Sequence, residues 1–268
     1  MKKLFVLIAL LPALLYAQEQ RVENPDAMSW DAKGINRASK EEKKLTLVFT
    51  SDGHIDGHNA IRTTLKKHGI KGAFFFTGNF FRYEKCKNVV KELKKDGHYI
   101  GPHSDRHLLW SPWGDRKTTL VSKDSLKKDI MNNYAEMAKF GIKLKDAPYM
   151  IPPYEYYNET HAQWADEWGV LLVNYTPGTA SNGDYTLPGH KGYYSSQYIV
   201  DRIMKYESTD PAGLNGFMLL VHFGVDARRT DKLYNRLDEI ITTLKDKGYE
   251  FVSIEELIPL KKKGTKNK

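Results

Sequence analysis

The sequence alternates short apolar runs with longer amphipathic stretches from Leu45 onward, and this pattern constrains the fold more than any other feature. Such alternation is typical of strand and helix units that repeat around a parallel sheet. It predicts seven strands, at residues 45–50, 72–78, 98–101, 147–151, 170–174, 217–222 and 250–253. It predicts six intervening helices, within residues 58–68, 86–96, 124–140, 158–168, 196–207 and 230–247. We therefore expect an α/β fold, a single-domain (β/α) barrel.

The two ends of the chain differ from this body. Lys2 and Lys3, an apolar run over residues 4–15 and Ala17 form the pattern of a secretory signal at residues 1–17, which predicts an exported protein, periplasmic or secreted. A bilayer requires about 20 apolar helical residues, so we expect no stable membrane insertion. Residues 18–43 are predicted to be a lead-in, residues 44–260 the barrel and residues 261–268 a basic tail.

Charge and cysteine content exclude several classes of protein. The formal charge is +8, but removing the two lysines of the leader and the five of the tail leaves the body at +1. A nearly neutral body argues against a nucleic acid partner. Cys86 is the only cysteine, so no disulfide within the chain supports the fold.

Polar and titratable residues gather immediately after the predicted strands. Asp52 follows the first, His103 and His107 the third and Glu155 the fourth, while His222 ends the sixth. A parallel barrel presents its functional loops at the ends of its strands. We therefore expect these side chains to face one site.

Three of these residues form a candidate metal centre. His103 and His107 are four residues apart, so on a helical turn both imidazoles would project from one face. Asp52 would add one oxygen ligand and leave positions open for water and substrate. This set is typical of catalytic zinc, although iron or another first-row metal uses similar ligands.

The same stretches resemble the polysaccharide deacetylases, carbohydrate esterase family 4, in order and spacing. The resemblance covers residues 44–258 and includes the second-strand stretch at residues 71–78. The motifs that carry it are Ser51-Asp52-Gly53, His103-Ser104-x-x-His107, Pro152-Pro153-Tyr154 and Leu219-Leu220-Val221-His222.

The resemblance implies a distorted (β/α) barrel of about seven parallel strands and a function. It implies that Asp52, His103 and His107 bind a divalent cation, for which we expect zinc. Water bound to that metal would remove N- or O-linked acetyl groups from a polysaccharide or oligosaccharide. The backbone N–H of Tyr154 would stabilise the oxyanion, and His222 would be the general acid.

The sequence departs from the family at the general base. Ser51 stands where the family has its basic aspartate, and Ile151 stands where the family has the arginine that pairs with it. We hypothesise that Glu155 takes over proton abstraction. Alternatively, metal-bound hydroxide attacks without a protein base. The family's fourth carboxylate motif is also absent, and we expect Asp226 to orient His222.

Aromatic residues crowd the same loops, and flat rings with polar tips suit the faces of sugars. We expect Trp110, Trp113, Tyr156 and Tyr175 to bind an acetylated glycan. Three alternatives remain: a catalytically impaired carbohydrate-binding protein, a hydrolase of another amide such as a cyclic ureide, and an iron-dependent oxygenase.

Overall fold

The computed structural model describes residues 21–261. The signal sequence predicted at residues 1–17 and all but the first residue of the predicted tail lie outside this range. The strands are β1 (Ser29–Asp31), β2 (Gly34–Arg37), β3 (Lys44–Ser51), β4 (Ala73–Phe76), β5 (Tyr99–Pro102), β6 (Tyr149–Met150), β7 (Leu171–Leu172), β8 (Phe217–His222) and β9 (Glu250–Phe251).

Within the described residues, the α-helices that flank these strands are α1 (His58–His68), α2 (Gly78–Arg82), α3 (Glu84–Lys95), α4 (Lys123–Ala138), α5 (Glu159–Glu167), α6 (Ser196–Thr209), α7 (Leu237–Asp246) and α8 (Ile254–Leu257). Short 3-10 turns add Pro153–Glu155, Ser181–Gly183 and Leu233–Arg236 near the ends of strands. No helix within residues 21–261 is long and apolar enough to cross a membrane.

The central sheet is parallel and has the order β5-β4-β3-β8, with β9 beside the start of β3. Every residue of β3 after Lys44 is buried, as expected for a strand covered on both faces. Phe49, Phe74 and Phe76 belong to the aromatic core around this sheet, in which Phe49 stacks on Phe74 with centroids 4.8 Å apart.

A second parallel pair, β6 and β7, completes the barrel through irregular contacts. The Tyr99 hydroxyl donates to the Tyr149 carbonyl at 2.9 Å and accepts from the Tyr149 amide at 2.8 Å, so one side chain joins β5 to β6. On the other side, the segment after β7 reaches β8, where the Thr176 amide donates to the Met218 carbonyl at 3.0 Å.

The segment predicted as a lead-in contributes to this closure. Strands β1 and β2 form an antiparallel hairpin, and Ile35 of β2 pairs in parallel with Val173. The hairpin turn places Ala32 and Lys33 at positive φ. Residues 29–37 are therefore packed against the barrel beside β7.

All seven predicted strands and all six predicted helices are present, and the α/β class, the parallel sheet and the single domain are confirmed. The structure differs from the predicted elements mainly in short segments. A 3-10 turn precedes α7, and α2 and α8 were not predicted. Apart from the hairpin of β1 and β2, the paired strands are parallel, so their ends bring the predicted site residues to one edge of the barrel, here called the carboxyl edge.

Candidate active site

The histidine pair lies on a loop after β5 and not on the helical turn that the spacing predicted. Ser104 and His107 both have positive φ, 69° and 55°, which bends the backbone between the two imidazoles. The Ser104 hydroxyl accepts from the His107 amide at 2.9 Å and closes the bend. The helical prediction for this segment was wrong, because a local hydrogen bond and two left-handed residues replace the helical turn.

Helix α4 fixes the backbone of this loop. The Asn133 side-chain oxygen accepts from the His103 amide at 2.9 Å. One turn earlier, the Asp129 carboxylate accepts from the amides of Asp105 and Arg106 at 3.3 and 3.0 Å. Asp129 and Asn133 are four residues apart, so both face the loop from one side of the helix. Hydrogen bonds to two side chains of helix α4 thus fix the conformation of the loop.

The two imidazoles are arranged as ligands of one ion. Their Nε2 atoms lie 3.2 Å apart, and two nitrogens on a tetrahedral zinc lie about 3.3 Å apart. His103 Nδ1 donates to the Ile151 carbonyl at 2.8 Å, which leaves the Nε2 lone pair free to bind. Burial lowers the pKa of both histidines, so both favour the neutral form that binds metal. The pair therefore fits a first-row metal ion.

Asp52 does not complete a three-ligand cluster with the histidines. Its Oδ1 accepts from the Thr77 hydroxyl at 2.7 Å and from the Asn79 amide at 3.0 Å. Within residues 21–261, no three His, Cys, Asp or Glu side chains are grouped to hold a metal. The carboxylate is nevertheless close enough for its charge to oppose the lowering of the pKa of His107. Of the three expected metal ligands, the two histidines come together, and Asp52 lies close to His107 without joining them.

Ser51 and Ile151 supply no titratable group at the ends of their strands. The Ser51 hydroxyl donates to the His54 carbonyl at 2.8 Å and accepts from the Gly53 amide at 3.1 Å, so it holds the turn after β3. Ile151 is fully buried. A hydroxyl committed to backbone groups cannot serve as a general base at neutral pH.

His222 is oriented by Asp184, a residue that the sequence analysis did not single out. His222 Nδ1 lies 2.6 Å from Asp184 Oδ1, and the other carboxylate oxygen accepts from the His222 amide at 3.0 Å. Burial lowers the pKa of His222, but the charge and hydrogen bond of Asp184 outweigh it, so the net shift is upward. The Nε2 atom is thereby left without a partner on Asp184, and the protonated form of the imidazole is stabilised relative to that of a free histidine.

A sequence signal for Asp184 existed. It is the single acidic residue in residues 176–195, a long loop rich in Gly and Tyr, and long loops of this kind often border a site. Asp226, which we expected in this role, instead binds Arg228 through two hydrogen bonds of 3.0 and 2.7 Å. The expectation for Asp226 was wrong, because its charge is already paired with an adjacent exposed guanidinium.

Arg229 holds the loop that carries Asp184. Its side chain is fully buried and donates to the carbonyls of Thr186, Tyr194 and Asp231 at 2.6, 2.8 and 2.7 Å. The guanidinium also lies over the ring of Tyr193, 5.0 Å from its centroid. Three carbonyls and one ring satisfy the buried cation, so it ties both ends of the loop together.

Tyr154 and Glu155 lie at a sharp turn after β6. Both have positive φ, 58° and 53°, and Asn174 donates to the Glu155 carbonyl at 2.8 Å. The Tyr154 ring stands edge-on to His107, with centroids 4.3 Å apart. Burial raises the pKa of the Glu155 carboxyl to about 7, with His222 opposing and Asp184 adding to the shift. Glu155 is therefore poised to exchange protons near neutrality and lies within the electrostatic reach of His222.

The four predicted glycan-binding aromatics separate into two kinds. Trp110 is 0% exposed and packs against His161, so the prediction for Trp110 was wrong: its ring belongs to the core. Trp113 is 63% exposed, and its ring contacts Tyr154 and Tyr156 with centroids 5.6 and 5.1 Å apart. We call Trp113, Tyr154 and Tyr156 the aromatic rim.

Two further tyrosines, Tyr175 and Tyr185, lie within electrostatic reach of Glu155. Tyr175 is partly buried and packs against the core, although the charge of Glu155 contributes to a raised pKa of its hydroxyl. Tyr185 is exposed, and its ring lies over His222 with centroids 4.8 Å apart. Exposed rings thus stand beside both halves of the site, next to His107 and next to His222.

The chain matches a protein-family model for polysaccharide deacetylases over residues 37–173. It is 26% identical over 219 residues to the peptidoglycan-N-acetylmuramic acid deacetylase PdaA of Bacillus subtilis, covering 81% of this chain and 72% of the relative. It is 27% identical over 220 residues to a peptidoglycan-N-acetylglucosamine deacetylase of Bacillus cereus, covering 82% and 90%.

Solved structures have the same fold. Bacillus subtilis PdaA, a family 4 carbohydrate esterase, superposes with a TM-score of 0.65 at 24% identity, covering 84% of this chain and 85% of that one. BA3943 of Bacillus anthracis, described as a family 4 pseudoenzyme, gives 0.65 at 18% identity and covers 85% and 69%. With the family model spanning half of the sequence, this chain belongs to the polysaccharide deacetylase family.

Proposed function

We propose that this protein is an exported, metal-dependent deacetylase that removes acetyl groups from the N-acetylated sugars of a glycan of the peptidoglycan type. One observation carries the proposal: the imidazole of His222, held by Asp184, lies within electrostatic reach of both His103 and His107. The charge of His222 acts on both of those histidines. Metal-assisted amide hydrolysis needs a metal site that activates water and an acid that protonates the leaving nitrogen. The histidine pair would supply the first and His222 the second.

The histidine pair supplies the cation site. His103 and His107 would hold zinc, with Asp52 as the carboxylate whose charge already acts on His107. A zinc ion bound there would polarise the acetyl carbonyl and lower the pKa of a water molecule. Thr77 and Asn79 orient Asp52 by hydrogen bonds, as partners behind metal ligands commonly do.

The remaining steps belong to side chains and backbone of this chain. Glu155 takes one proton from the attacking water, whose oxygen forms a bond to the acetyl carbon. The Tyr154 backbone N–H donates to the oxyanion that develops on the carbonyl oxygen. His222 Nε2 gives its proton to the sugar nitrogen as the C–N bond breaks, so acetate and a free amine leave.

Glu155 fills the role of the base because of its surroundings. It is half-buried, and a carboxyl with a pKa of about 7 can be deprotonated at neutral pH and still accept a proton effectively. His222 and Asp184 both affect its pKa electrostatically, which supports a role for Glu155 beside the proposed acid. The missing aspartate at position 51 would thus be replaced from the loop after β6.

The substrate class rests on the exposed rings and on the relatives. Trp113 and Tyr185 offer flat faces on the two sides of the cleft, and sugars present apolar faces that such rings can cover. The curated relatives are named for peptidoglycan N-acetyl sugars. Peptidoglycan lies outside the cytoplasm, so the proposal also requires the periplasmic or secreted location that residues 1–17 predict.

A second candidate function is carbohydrate binding without hydrolysis. Ser51 favours it, because the usual base is absent and its replacement would have to come from Glu155. A solved structure of similar fold is described as a family 4 pseudoenzyme, and another as a mutant of it with restored activity. Measurable glycan affinity with no release of acetate would support this candidate.

The experiment is an acetate-release assay on tetra-N-acetylchitotetraose, peptidoglycan and acetylxylan after reconstitution with zinc. Zinc content is measured on the same sample, so that an empty site is distinguished from an inactive one. We expect acetate and an equal amount of free amine from an N-acetylated glycan. Acetate from acetylxylan alone would indicate an esterase. Turnover of a cyclic ureide, or activity that needs iron and oxygen, would favour the other two alternatives.

A further inference from the structure

A guanidinium behind the aromatic rim joins three separate parts of the chain. Arg116 Nη1 donates to both carboxylate oxygens of Asp31, at 3.0 and 2.9 Å, and Arg116 Nε donates to the Tyr157 carbonyl at 2.7 Å. Asp31 belongs to the N-terminal hairpin, and Tyr157 follows the turn that carries Glu155. Arg116 itself lies in the loop after the histidine pair.

The guanidinium also supports rings of the cleft. It lies over Tyr156 at 5.6 Å and over Tyr157 at 5.3 Å from the ring centroids. The hydroxyl of buried Tyr157 donates to the Asp31 carbonyl at 2.8 Å, a second tie between the hairpin and this loop. On its other side, Tyr156 contacts Trp113. Contacts therefore run without a break from Asp31 through Arg116 and Tyr156 to the exposed Trp113.

We infer that Asp31 and Arg116 are positioning residues that hold the aromatic rim for an extended glycan, so that the N-terminal hairpin sets the preference for oligosaccharide over single sugars. This inference rests on the proposed function. The rim begins at Tyr154, next to His107, and extends away to Trp113, which is 63% exposed. A sugar bound at the reacting centre leaves its neighbour in the chain close to those rings.

Rings that are already held in position favour binding, because less side-chain conformational entropy is lost when the glycan binds. Tyr156 and Trp113 lie on two different loops, so their relative position depends on whatever joins those loops. Arg116 lies on the same loop as Trp113 and contacts Tyr156 and Tyr157 of the other loop, so it connects the two loops. Asp31 holds Arg116 in place. Loss of either residue should therefore weaken the rim while leaving Glu155, His222 and the histidine pair in position.

A purely structural role would give a different result. The Arg116 and Asp31 side chains are about one third and two fifths exposed, and such ion pairs contribute at most about 1 kcal/mol to folding. The protein should therefore fold without the pair. Its effect should appear in substrate binding, as a higher KM with little change in kcat.

The test uses Arg116→Ala, Arg116→Lys, Asp31→Asn and the double variant Asp31→Asn/Arg116→Ala in the zinc-loaded protein. Tetra-N-acetylchitotetraose and N-acetylglucosamine are the probes. We expect Arg116→Ala to raise KM for the tetramer about tenfold, with kcat changed less than twofold, and to lower the preference for tetramer over monosaccharide. Arg116→Lys should recover only part of the loss, because lysine has no planar fork.

Calorimetric binding of the tetramer to metal-free protein separates recognition from turnover. The double variant should bind no more weakly than Arg116→Ala, because both residues act through one contact. Lys67→Ala, which removes an exposed ion pair with Asp238 on distant helices, is the matched control. Equal loss for tetramer and monosaccharide, or tetramer binding like that of the unmodified protein, would overturn the inference. Failure of the unmodified protein to bind or cleave any glycan would instead refute the proposed function.

Discussion

One carboxylate, Asp184, holds both the side chain and the backbone of His222. Its Oδ1 lies 2.6 Å from His222 Nδ1, and its Oδ2 accepts from the His222 amide at 3.0 Å. Asp184 lies 38 positions earlier in the chain, on a loop that Arg229 holds by a hydrogen bond to the Thr186 carbonyl. Nδ1 is therefore held on Asp184, and Nε2 is the nitrogen that can give a proton to a substrate. This relationship gives His222 the orientation that an acid needs.

Asp184→Asn should reduce kcat/KM by about 100-fold or more, since general acid catalysis contributes about 10²–10⁴-fold. Activity requires protonated His222, so it falls as the pH rises through the pKa of that imidazole. Asp184 raises this pKa, and its removal should shift the alkaline limb of the pH profile to lower pH. Asp226→Asn, which alters an exposed pair, is the control. A profile unchanged by Asp184→Asn would contradict the assignment.

Glu155→Gln should nearly abolish turnover while leaving zinc bound. The base must be deprotonated, so the activity of the unmodified protein should rise through a limb centred near pH 7. The variant should lack that limb. Kinetics from pH 5 to pH 9 with zinc content on each sample provide the measurement. Glu159→Gln, an exposed residue on the following helix, is the control.

Glu155→Gln should also change how the free energy of unfolding depends on pH. The pKa of Glu155 in the folded protein is raised to about 7, above the value near 4.3 expected in the unfolded chain. Its contribution to stability is therefore complete below pH 4 and is lost as the pH rises through 7. Glutamine does not titrate, so in urea unfolding the unmodified protein should lose stability relative to Glu155→Gln as the pH rises from about 4 to about 7, with no further change above pH 7. A constant difference between about pH 4 and pH 7 would mean that Glu155 is an ordinary exposed carboxylate.

Zinc should stabilise the folded protein through the histidine pair. Zinc at 100 times its dissociation constant should add about 2.7 kcal/mol to the free energy of unfolding. His107→Asn should remove most of that gain, and His190→Asn, an exposed histidine on another loop, should retain it. Thermal unfolding with and without zinc provides the readout. Equal stabilisation of His107→Asn and the unmodified protein would place the ion elsewhere.

Arg229→Met should destabilise the fold because it removes a fully buried guanidinium that donates to the carbonyls of Thr186, Tyr194 and Asp231. A hydrogen bond to a charged group contributes about 1.5–3 kcal/mol. We expect a loss of at least about 3 kcal/mol in urea unfolding. Arg228→Met, an exposed neighbour, should change stability by less than about 0.5 kcal/mol. Similar losses for both variants would contradict the role of Arg229.

Much of the fold could be predicted because burial on both faces makes each parallel strand an apolar run. Strands β3 and β8 are found where the sequence predicted them, with small differences at their ends. The hairpin at residues 29–37 could not be recognised in the same way. Its strands are only three and four residues long, and the first is partly exposed along its whole length. Its place beside β7 depends on a pairing of Ile35 with Val173, which no local pattern encodes.

The site was predictable to the extent that its residues follow strands. His103, His107, Glu155 and His222 come together at the carboxyl edge because parallel strands share one direction. Asp184 could not be found by that rule, since it lies in the middle of a loop and contacts His222 across 38 positions. Trp110 and Trp113 illustrate the remaining difficulty: two tryptophans three residues apart differ completely in exposure, and only packing decides which faces solvent.

The most direct test is release of acetate and free amine from tetra-N-acetylchitotetraose by the zinc-loaded protein, compared with Asp184→Asn and Glu155→Gln at equal zinc content. The account predicts equimolar acetate and amine from the unmodified protein and at least about 100-fold less from each variant. Binding of the tetramer with no acetate from the unmodified protein, or equal acetate from all three proteins, would contradict it.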